Sequence, residues 1–509
     1  MTAAASVRHR GPIVVSIMLA TIMQALDTTI ANVALPHMQG SLSATQDQIS
    51  WVLTSYIVAA AIMTPPTGIL AEKLGRKRLF LGAVAGFTVA SMLCGIAETL
   101  PEMVGFRLLQ GVFGASLVPL SQAVLLDTYP REEHGRAMAL WGVGVMVGPI
   151  LGPTLGGYLT DFYNWRWVFF INLPFGIIAL LGILFFVPEN EHRSHRSFDL
   201  FGFAMLSLAI GALQLVLDRG ELKDWFGSTE IIVEATVAAL GLYLFLVQMA
   251  TAEHPFLEPR LFKDRNFVIS LFFIFVVGII LLATLALMPP FLQNLMGYPV
   301  VTTGLVLAPR GIGTMFAMLI VSRLIGRVDS RLLILVGLAL AGISLWEMAD
   351  FTTGVSEWTI IRTGVVQGLG LGFLFVPLSA LAFSTLAPAL RTDAAGMFSL
   401  MRNIGSSIGV SVVTSLLTRY TQVNHEQLAG FASPYNSQMQ APWLPEFWNP
   451  ATGPGAAALN EEITRQASTI AYLNDFRLMM YVTLLTIPML LLLRRRGPGG
   501  PQAAAPVAE

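Results

Sequence analysis

The chain has 509 residues, a formal net charge of -1 at pH 7, 54% hydrophobic residues and only 12% charged residues, whereas a soluble domain carries about 25% charged residues. This composition predicts many membrane-spanning helices and excludes a strongly basic protein that binds nucleic acid. The single cysteine, Cys94, excludes an intrachain disulfide and a cysteine metal cluster, and all histidines fall in predicted loops or tails, so neither a metal nor another cofactor is expected.

Apolar runs long enough to cross a bilayer occur about fourteen times, which predicts an all-α polytopic membrane protein. An even number of spans places both termini on the same side of the membrane. The runs lie near residues 12–35, 49–70, 79–97, 102–127, 135–159, 166–187, 199–217, 230–250, 267–290, 301–325, 331–349, 357–386, 392–418 and 475–493.

The loops between these runs differ in their content of lysine and arginine, which marks the cytoplasmic side of a membrane protein. Basic residues concentrate on the side that holds both termini, so both termini are predicted to be cytoplasmic. The opposite, outer side holds only Arg166, Arg219, Lys223, Arg419 and Arg465.

The sequence contains an internal repeat. The tetrapeptide Val-Pro-Leu-Ser at 118–121 recurs at 376–379, a shift of 258 residues, and Gln110-Gly111 resembles Gln367-Gly368 one residue out of that register. Such a shift covers about eight spans, which predicts two six-span halves with two extra spans between them. The predicted boundaries are 1–190 for the first six-helix bundle, 191–265 for the extra pair, 266–496 for the second bundle with a long outer segment at 419–474, and 497–509 for a disordered tail.

Charged residues inside the spans are functional candidates, because burying a charge in the bilayer costs about 3 kcal/mol. Asp27 lies roughly 13 Å and Arg107 roughly 8 Å from the outer face at about 1.5 Å per residue. Long side chains bridge that difference, so we predict that they interact. The pair is either a proton-coupling site, whose carboxylate loads and releases a proton, or a static ion pair that fixes two helices. Arg310 and Arg402 also lie deep and, with Gln110, are candidates for lining a substrate cavity.

The short loop between spans 2 and 3 carries glycines and charges. Glycine permits a tight turn, and Asp127 at the cytoplasmic end of span 4 is predicted to accept a hydrogen bond from Arg76. The alternative is that these charges only set the membrane orientation. The residues of this loop motif are Gly68, Glu72, Gly75, Arg76 and Lys77, with Asp127 as the partner.

Span 5 carries glycines at every fourth position, which share one helix face and let a second backbone approach closely. Its two prolines each remove a backbone donor and predict a bent helix. The strip is interpreted either as a gate or seal against proton leak, or as dense packing alone. Its members are Gly144, Gly148, Pro149, Gly152, Pro153, Gly156 and Gly157.

Four motifs in the expected order resemble the major facilitator superfamily. The loop from Gly68 resembles the signature between its spans 2 and 3, with Glu72 in place of the usual aspartate. The segment Arg107–Gly114 resembles the span-4 motif whose arginine is implicated in proton transfer. The glycine strip is similar to the span-5 antiporter motif, and Leu26–Pro36 is similar to the first-span motif of fourteen-span drug/proton antiporters.

This resemblance implies the major facilitator fold, with two pseudo-symmetric six-helix bundles plus two extra helices. Within that group the chain is similar to EmrB-type multidrug exporters. This similarity implies a protein of the bacterial inner membrane that exports hydrophobic or amphipathic drug-like compounds, driven by protons. It further implies an EmrA-type periplasmic adaptor and a TolC-type outer-membrane channel in a Gram-negative cell. The segment 419–474 would then contact the adaptor or cap the outer opening.

Two other functions stay open. An exporter dedicated to one metabolite or lipid would have the same motifs. A polytopic membrane enzyme is a remote alternative, because no nucleophile–histidine pair appears in the spans. The sequence also lacks a phosphate-binding loop of the G-x-x-x-x-G-K-[ST] type, which argues against direct coupling to ATP.

Overall fold

The computed structural model of the protein describes residues 10–130, 133–189, 198–386, 390–432, 448–449 and 452–493. The regular structure of these residues is helical, apart from one isolated bridge between Ile325 and Val328. The α-helices are α1 Arg10–Ser41, α2 Gln46–Ile49, α3 Trp51–Met63, α4 Thr67–Leu74, α5 Arg76–Ile96, α6 Leu100–Gly114, α7 Leu117–Thr128, α8 His134–Phe162, α9 Trp167–Phe170, α10 Asn172–Phe186, α11 Leu200–Arg219, α12 Thr229–Thr251, α13 Arg265–Pro290, α14 Val300–Leu324, α15 Ser330–Met348, α16 Glu357–Ser384, α17 Arg391–Ala429 and α18 Gly453–Leu485.

The described residues contain 13 helical segments that are long and apolar enough to cross a membrane. The pair α3 and α4, bent by 60° between its two helices, is long and apolar enough for a fourteenth crossing when it is counted as one span. The break contains Pro65 and Pro66, which cannot donate backbone hydrogen bonds. In a bilayer the backbone must satisfy its own polar groups, which favours helices for every crossing. The predicted all-α membrane fold is therefore confirmed.

Helix packing repeats between the two bundles. In the first, α1 packs along α8 and α3 packs along α6; in the second, α13 packs along α17 and α14 packs along α16. The contacts of α5 with α6 and α10 likewise have counterparts in those of α15 with α16 and α18. This agrees with the internal sequence repeat, whereas the exact domain boundaries stay predictions. The junction at 190–197 lies outside the described residues.

The extra pair of helices, α11 and α12, forms a hairpin that touches both bundles. Helix α11 packs against α3 of the first bundle and also contacts α17 of the second. The Thr54 hydroxyl donates to Asp218 at the end of α11, and the Trp225 indole nitrogen lies 3.1 Å from the Ser415 hydroxyl of α17. The hairpin thus bridges α3 of the first bundle and α17 of the second.

The predicted outer segment is largely helical where it is described. Helix α17 continues past the predicted span end at 418, and α18 begins well before the predicted start at 475. Asn424 donates to the Ala467 carbonyl over 3.3 Å, and the His425 ring lies 3.0 Å from Asn460. The two extensions therefore pack against each other. Residues 433–447 and the tail at 497–509 lie outside the described residues.

Candidate functional site

The predicted contact between Asp27 and Arg107 is present. Asp27 lies on α1 and Arg107 on α6, and an Arg107 guanidinium nitrogen donates to the Asp27 carboxylate over 2.7 Å. Asp27 is completely buried and Arg107 is 1% exposed. Because an isolated buried charge is costly, each side chain makes burial of the other tolerable. The role of this pair in proton coupling stays a prediction.

Two amides complete the surroundings of the Asp27 carboxylate. Gln110 donates to it over 2.8 Å and Asn172 donates over 3.2 Å. Gln110 lies one helical turn after Arg107, so both face the same side of α6, and its own carbonyl oxygen accepts from Arg107 over 2.8 Å. Gln110 therefore belongs to this network, although the sequence pointed to it only as a candidate for a substrate cavity.

Helix α3 holds the far side of the arginine. The Arg107 Nε donates to the Val52 carbonyl over 3.0 Å, and the guanidinium carbon lies 4.3 Å from the centre of the Tyr56 ring. A cation over an aromatic face is attracted by the ring quadrupole. These contacts fix the guanidinium in one orientation beside the carboxylate.

Sequence reasoning missed the residues that position Asn172. Its amide donates to the Ser91 hydroxyl over 2.9 Å, and Ser91 donates to the Phe169 carbonyl over 2.9 Å. All of these side chains are buried. A neutral polar residue inside an apolar run was the available signal, but such residues are common enough in spans that they do not stand out as charges do.

A second cluster joins the two bundles at the predicted cytoplasmic end. Asp127 accepts from Arg76, as predicted, and also from Arg391 at the start of α17, over 3.2 Å. The Asp127 side chain is 31% exposed. An ion pair in contact with water contributes only about 0–1 kcal/mol. This cluster therefore connects the two bundles at this end of the molecule.

Two glycines shape the same end. Gly75 separates α4 from α5 with a φ of 86°, which glycine adopts without strain. A side chain at Gly68 would overlap the Asp393 carboxyl group of α17, so glycine lets α4 and α17 approach closely. Glu72 and Lys77 are partly exposed.

The glycine strip of α8 lies against α1, the helix that carries Asp27. Gly148 faces the backbone of Ala25, and the Gly148 carbonyl accepts a hydrogen bond from the Thr29 hydroxyl over 3.0 Å. A side chain at Gly156 would come within 3.1 Å of the Ile30 carbonyl oxygen. The predicted close packing is present, and α8 is one continuous helix. The gate or seal role stays a prediction.

The remaining members of the strip agree with this packing where they are described. Gly144 faces Met18, Gly152 faces Thr29, and Gly157 is buried. The backbone at Pro149 and Pro153 is helical.

The two deep arginines of the second bundle have no carboxylate partner among the described residues. Arg310 on α14 is 8% exposed, and one of its guanidinium nitrogens donates to the Leu281 carbonyl over 3.3 Å. Arg402 on α17 is partly exposed, and its backbone carbonyl lies against Gly278 of α13. The Arg310 guanidinium and the Arg402 backbone therefore lie against the same turn of α13.

The internal repeat identifies the residue of the second bundle that corresponds to Asp27. Thr284 follows Asp27 by the same shift that relates Gln367 to Gln110. The Gln367 amide donates to the Thr284 hydroxyl over 3.2 Å, as Gln110 donates to Asp27. A neutral hydroxyl thus stands where the first bundle has its carboxylate.

Comparisons with known proteins identify the family. Residues 17–410 match the profile of the Major Facilitator Superfamily. The multidrug export protein EmrB of Escherichia coli strain K12 is 37% identical over 429 residues, which cover 84% of either chain. The probable multidrug resistance protein EmrY of the same strain is 35% identical over 472 residues, 92% of either chain. The fatty acid resistance protein FarB of Neisseria gonorrhoeae is 37% identical over 428 residues, 84% of either chain.

Solved structures show the same fold at low sequence identity. The human organic anion transporter MFSD10 aligns with a TM-score of 0.60 and 15% identity, covering 93% of this chain and 99% of that chain. The proton:xylose symporter XylE aligns with a TM-score of 0.58 and 12% identity, covering 96% of either chain. The chain therefore belongs to the major facilitator superfamily and, within it, to the EmrB-type export proteins.

Proposed function

We propose that this chain is a proton-coupled multidrug exporter that moves hydrophobic or amphipathic compounds by alternating access. Its superfamily consists of transporters, and relatives over most of its length are named for multidrug export. The observation that carries the proposed coupling is the buried pair of Asp27 and Arg107. In the proposed cycle this carboxylate binds a proton when its contact with Arg107 opens and releases the proton when the contact re-forms.

Closure at one end supports the alternating-access part of the proposal. Asp127 contacts the first bundle through Arg76 and the second through Arg391, so the predicted cytoplasmic end opens only when these contacts break. Asp27 is sealed from solvent in this conformation. In the proposed cycle, movement of the bundles exposes Asp27 to one side of the membrane at a time. The protein binds a proton on the side where it releases substrate, and it releases the proton on the side where it binds substrate.

Reconstituted vesicles test this function directly. An imposed pH gradient is expected to drive accumulation of a fluorescent hydrophobic dye, and addition of dye is expected to drive proton movement. An uncoupler should abolish both effects. Transport that requires ATP and survives the uncoupler contradicts the proposal.

Arg310 and Arg402, which have no carboxylate partner among the described residues, support a contact with anionic substrates. Loss of a charged hydrogen bond costs about 1.5–3 kcal/mol, or about tenfold or more in affinity. Replacing Arg310 with glutamine is therefore expected to lower transport of an anionic amphipath about tenfold and to leave a neutral dye little changed. Dye and fatty-acid uptake into vesicles measure the two.

Arg362→Gln is the matched control, because Arg362 is half exposed and already pairs with Glu347 over 3.1 Å. If Arg310→Gln lowers transport of the anionic amphipath and of the neutral dye equally, the proposed contact between Arg310 and the anionic substrate is contradicted. If the unmodified protein transports anionic amphipaths and no neutral dye, the second candidate function is favoured, an exporter dedicated to such compounds. The similarity to the fatty acid resistance protein FarB is the observation that supports this candidate.

The proposed setting is the bacterial inner membrane with both termini in the cytoplasm. In a Gram-negative cell the partners would be an EmrA-type adaptor and a TolC-type channel. The packed extensions of α17 and α18 support an outer contact surface, although they fit a cap over the opening equally well. If the adaptor no longer co-purifies with a variant in which these extensions are shortened, they form the contact surface for the adaptor. If the adaptor still co-purifies, they form the cap.

A further inference from the structure

A second buried carboxylate, Asp475, lies in the other bundle and has no role in the mechanism above. It sits on α18 and is 1% exposed. Neither of its carboxylate oxygens has a hydrogen-bond partner among the described residues. Asp27, by contrast, accepts from three side chains. Asp27 and Asp475 are therefore buried in opposite ways: Asp27 is paired, whereas Asp475 has no hydrogen-bond partner among the described residues.

Asp475 lies close to the counterpart of the Asp27 site. One helical turn along α18, on the same face, the Met479 sulfur lies 3.9 Å from the Thr284 hydroxyl. Thr284 occupies the place of Asp27 in the repeat. On the other side of Asp475, the Tyr472 ring lies 5.4 Å from the ring of Phe291 at the end of α13. The acid thus faces the interior of the second bundle.

Few ionisable groups approach Asp475 from the elements packed against α18. Residues 291–295 and 487–492 carry none, and α13 carries only Arg265 at its far end. Helix α15 carries Arg331 at its start and Glu347 near its end, where Glu347 pairs with Arg362. Just beyond α15, Asp350 pairs with Arg477 over 3.7 Å. The ionisable side chains of α17 are Arg391, Asp393, Arg402, Arg419, Tyr420, His425 and Glu426.

None of those groups neutralises Asp475. Its oxygens have no partner among the described residues, and on its own helix only the neutral phenol of Tyr472 shares its buried face. The nearby pair of Arg477 and Asp350 is about half exposed, which places Asp475 near the predicted outer end of the bundle. Water on that side is therefore the nearest source of a proton.

Burying an ionised carboxylate without a partner is far more costly than burying the neutral acid. We propose that Asp475 is a second proton-binding site, which holds a proton in this conformation. The carboxylate takes the proton from a hydronium ion, which becomes water as the O–H bond forms. The acid returns the proton to water when α18 rearranges and solvent reaches the carboxyl group. The coupling part of this proposal rests on the proposed function, whereas the proton occupancy does not.

Infrared spectroscopy of the purified, reconstituted chain tests the occupancy. The wild type at neutral pH is expected to show the C=O stretching band of a protonated carboxylic acid, and Asp475→Asn is expected to lose it. Asp350→Asn is the matched control, because it removes an exposed acid at the same end, and it should keep the band. Isotope-labelled aspartate should shift the band in the unmodified chain, which requires no variant. An unchanged band in Asp475→Asn, or no shift on labelling, overturns the proposal.

The number of protons moved per drug tests the coupling role. Asp475→Asn is expected to move fewer protons per drug than wild type, while still transporting the drug. An unchanged ratio overturns a role of Asp475 in coupling, even where the infrared band is lost. Failure of the proposed function itself looks different, because wild-type vesicles would then show no drug-driven proton movement at all while the infrared result would stand.

Discussion

Replacing Asp27 with asparagine is expected to abolish drug-driven proton movement while leaving drug binding in place. The asparagine carbonyl keeps the shape of the site and still accepts from Arg107, so the chain should fold. It cannot take up a proton, so the conformational cycle loses its main link to the proton gradient, and Asp475 alone is not expected to sustain coupling. Proton flux and drug binding in reconstituted vesicles measure the two effects separately.

Glu102→Gln is the control for Asp27→Asn. Glu102 lies on the same helix as Arg107, is exposed, and holds a capping box with Thr99 that glutamine also supports. This variant should couple normally. Normal coupling in Asp27→Asn would show that another group carries the proton and that the pair with Arg107 is structural.

Asp27→Ala is expected to lower the free energy of unfolding by about 3–5 kcal/mol, because it leaves Arg107 buried without its partner.

Replacing Gly148 with leucine is expected to abolish export and to lower the thermal stability of the chain markedly. Any side chain there would overlap the Ala25 backbone, which cannot move aside as a flexible side chain can. Overpacking of a close contact costs about 1–3 kcal/mol, and a collision with backbone lies at or above the upper end. Thermal unfolding of the purified protein and dye export from cells measure the two effects.

Gly105→Leu separates this contact from a general effect of glycine replacement. Gly105 is exposed on α6, and a side chain there would meet nothing within 4 Å. It should export and unfold like wild type. Normal export with normal expression in Gly148→Leu would contradict the packed strip. Lost export with unchanged stability would instead favour the strip as a moving gate over dense packing alone.

The sequence predicted the spans well because a bilayer leaves the backbone little choice but helix. It also predicted the contact of Asp27 with Arg107, since two charges at similar depth in lipid have a strong reason to meet. The sequence did not predict Asn172 as a member of the site, because a neutral amide carries no comparable signal. Its partners come from helices far apart in the chain, and sequence spacing alone does not place them together.

Two other features depended on packing between distant segments. Arg391 reaches Asp127 only because the second bundle closes on the first, and nothing near Arg391 in the sequence indicates that partner. Asp475 fell at the predicted edge of the last span, since the polar first half of α18 hides the start of the helix. In the structure that half is helical and packs on α17, which places Asp475 inside the bundle.

The hairpin of α11 and α12 has a consequence for compounds that arrive dissolved in the lipid. On one flank of the protein α11 bridges α3 of the first bundle and α17 of the second, and on the other flank α8 packs along α14. The hairpin covers the first with α11, through contacts to both bundles, while α12 turns many apolar side chains outward. A hydrophobic molecule diffusing in the bilayer therefore meets two unequal flanks, and only the flank along α8 and α14 lacks this extra layer of protein among the described residues.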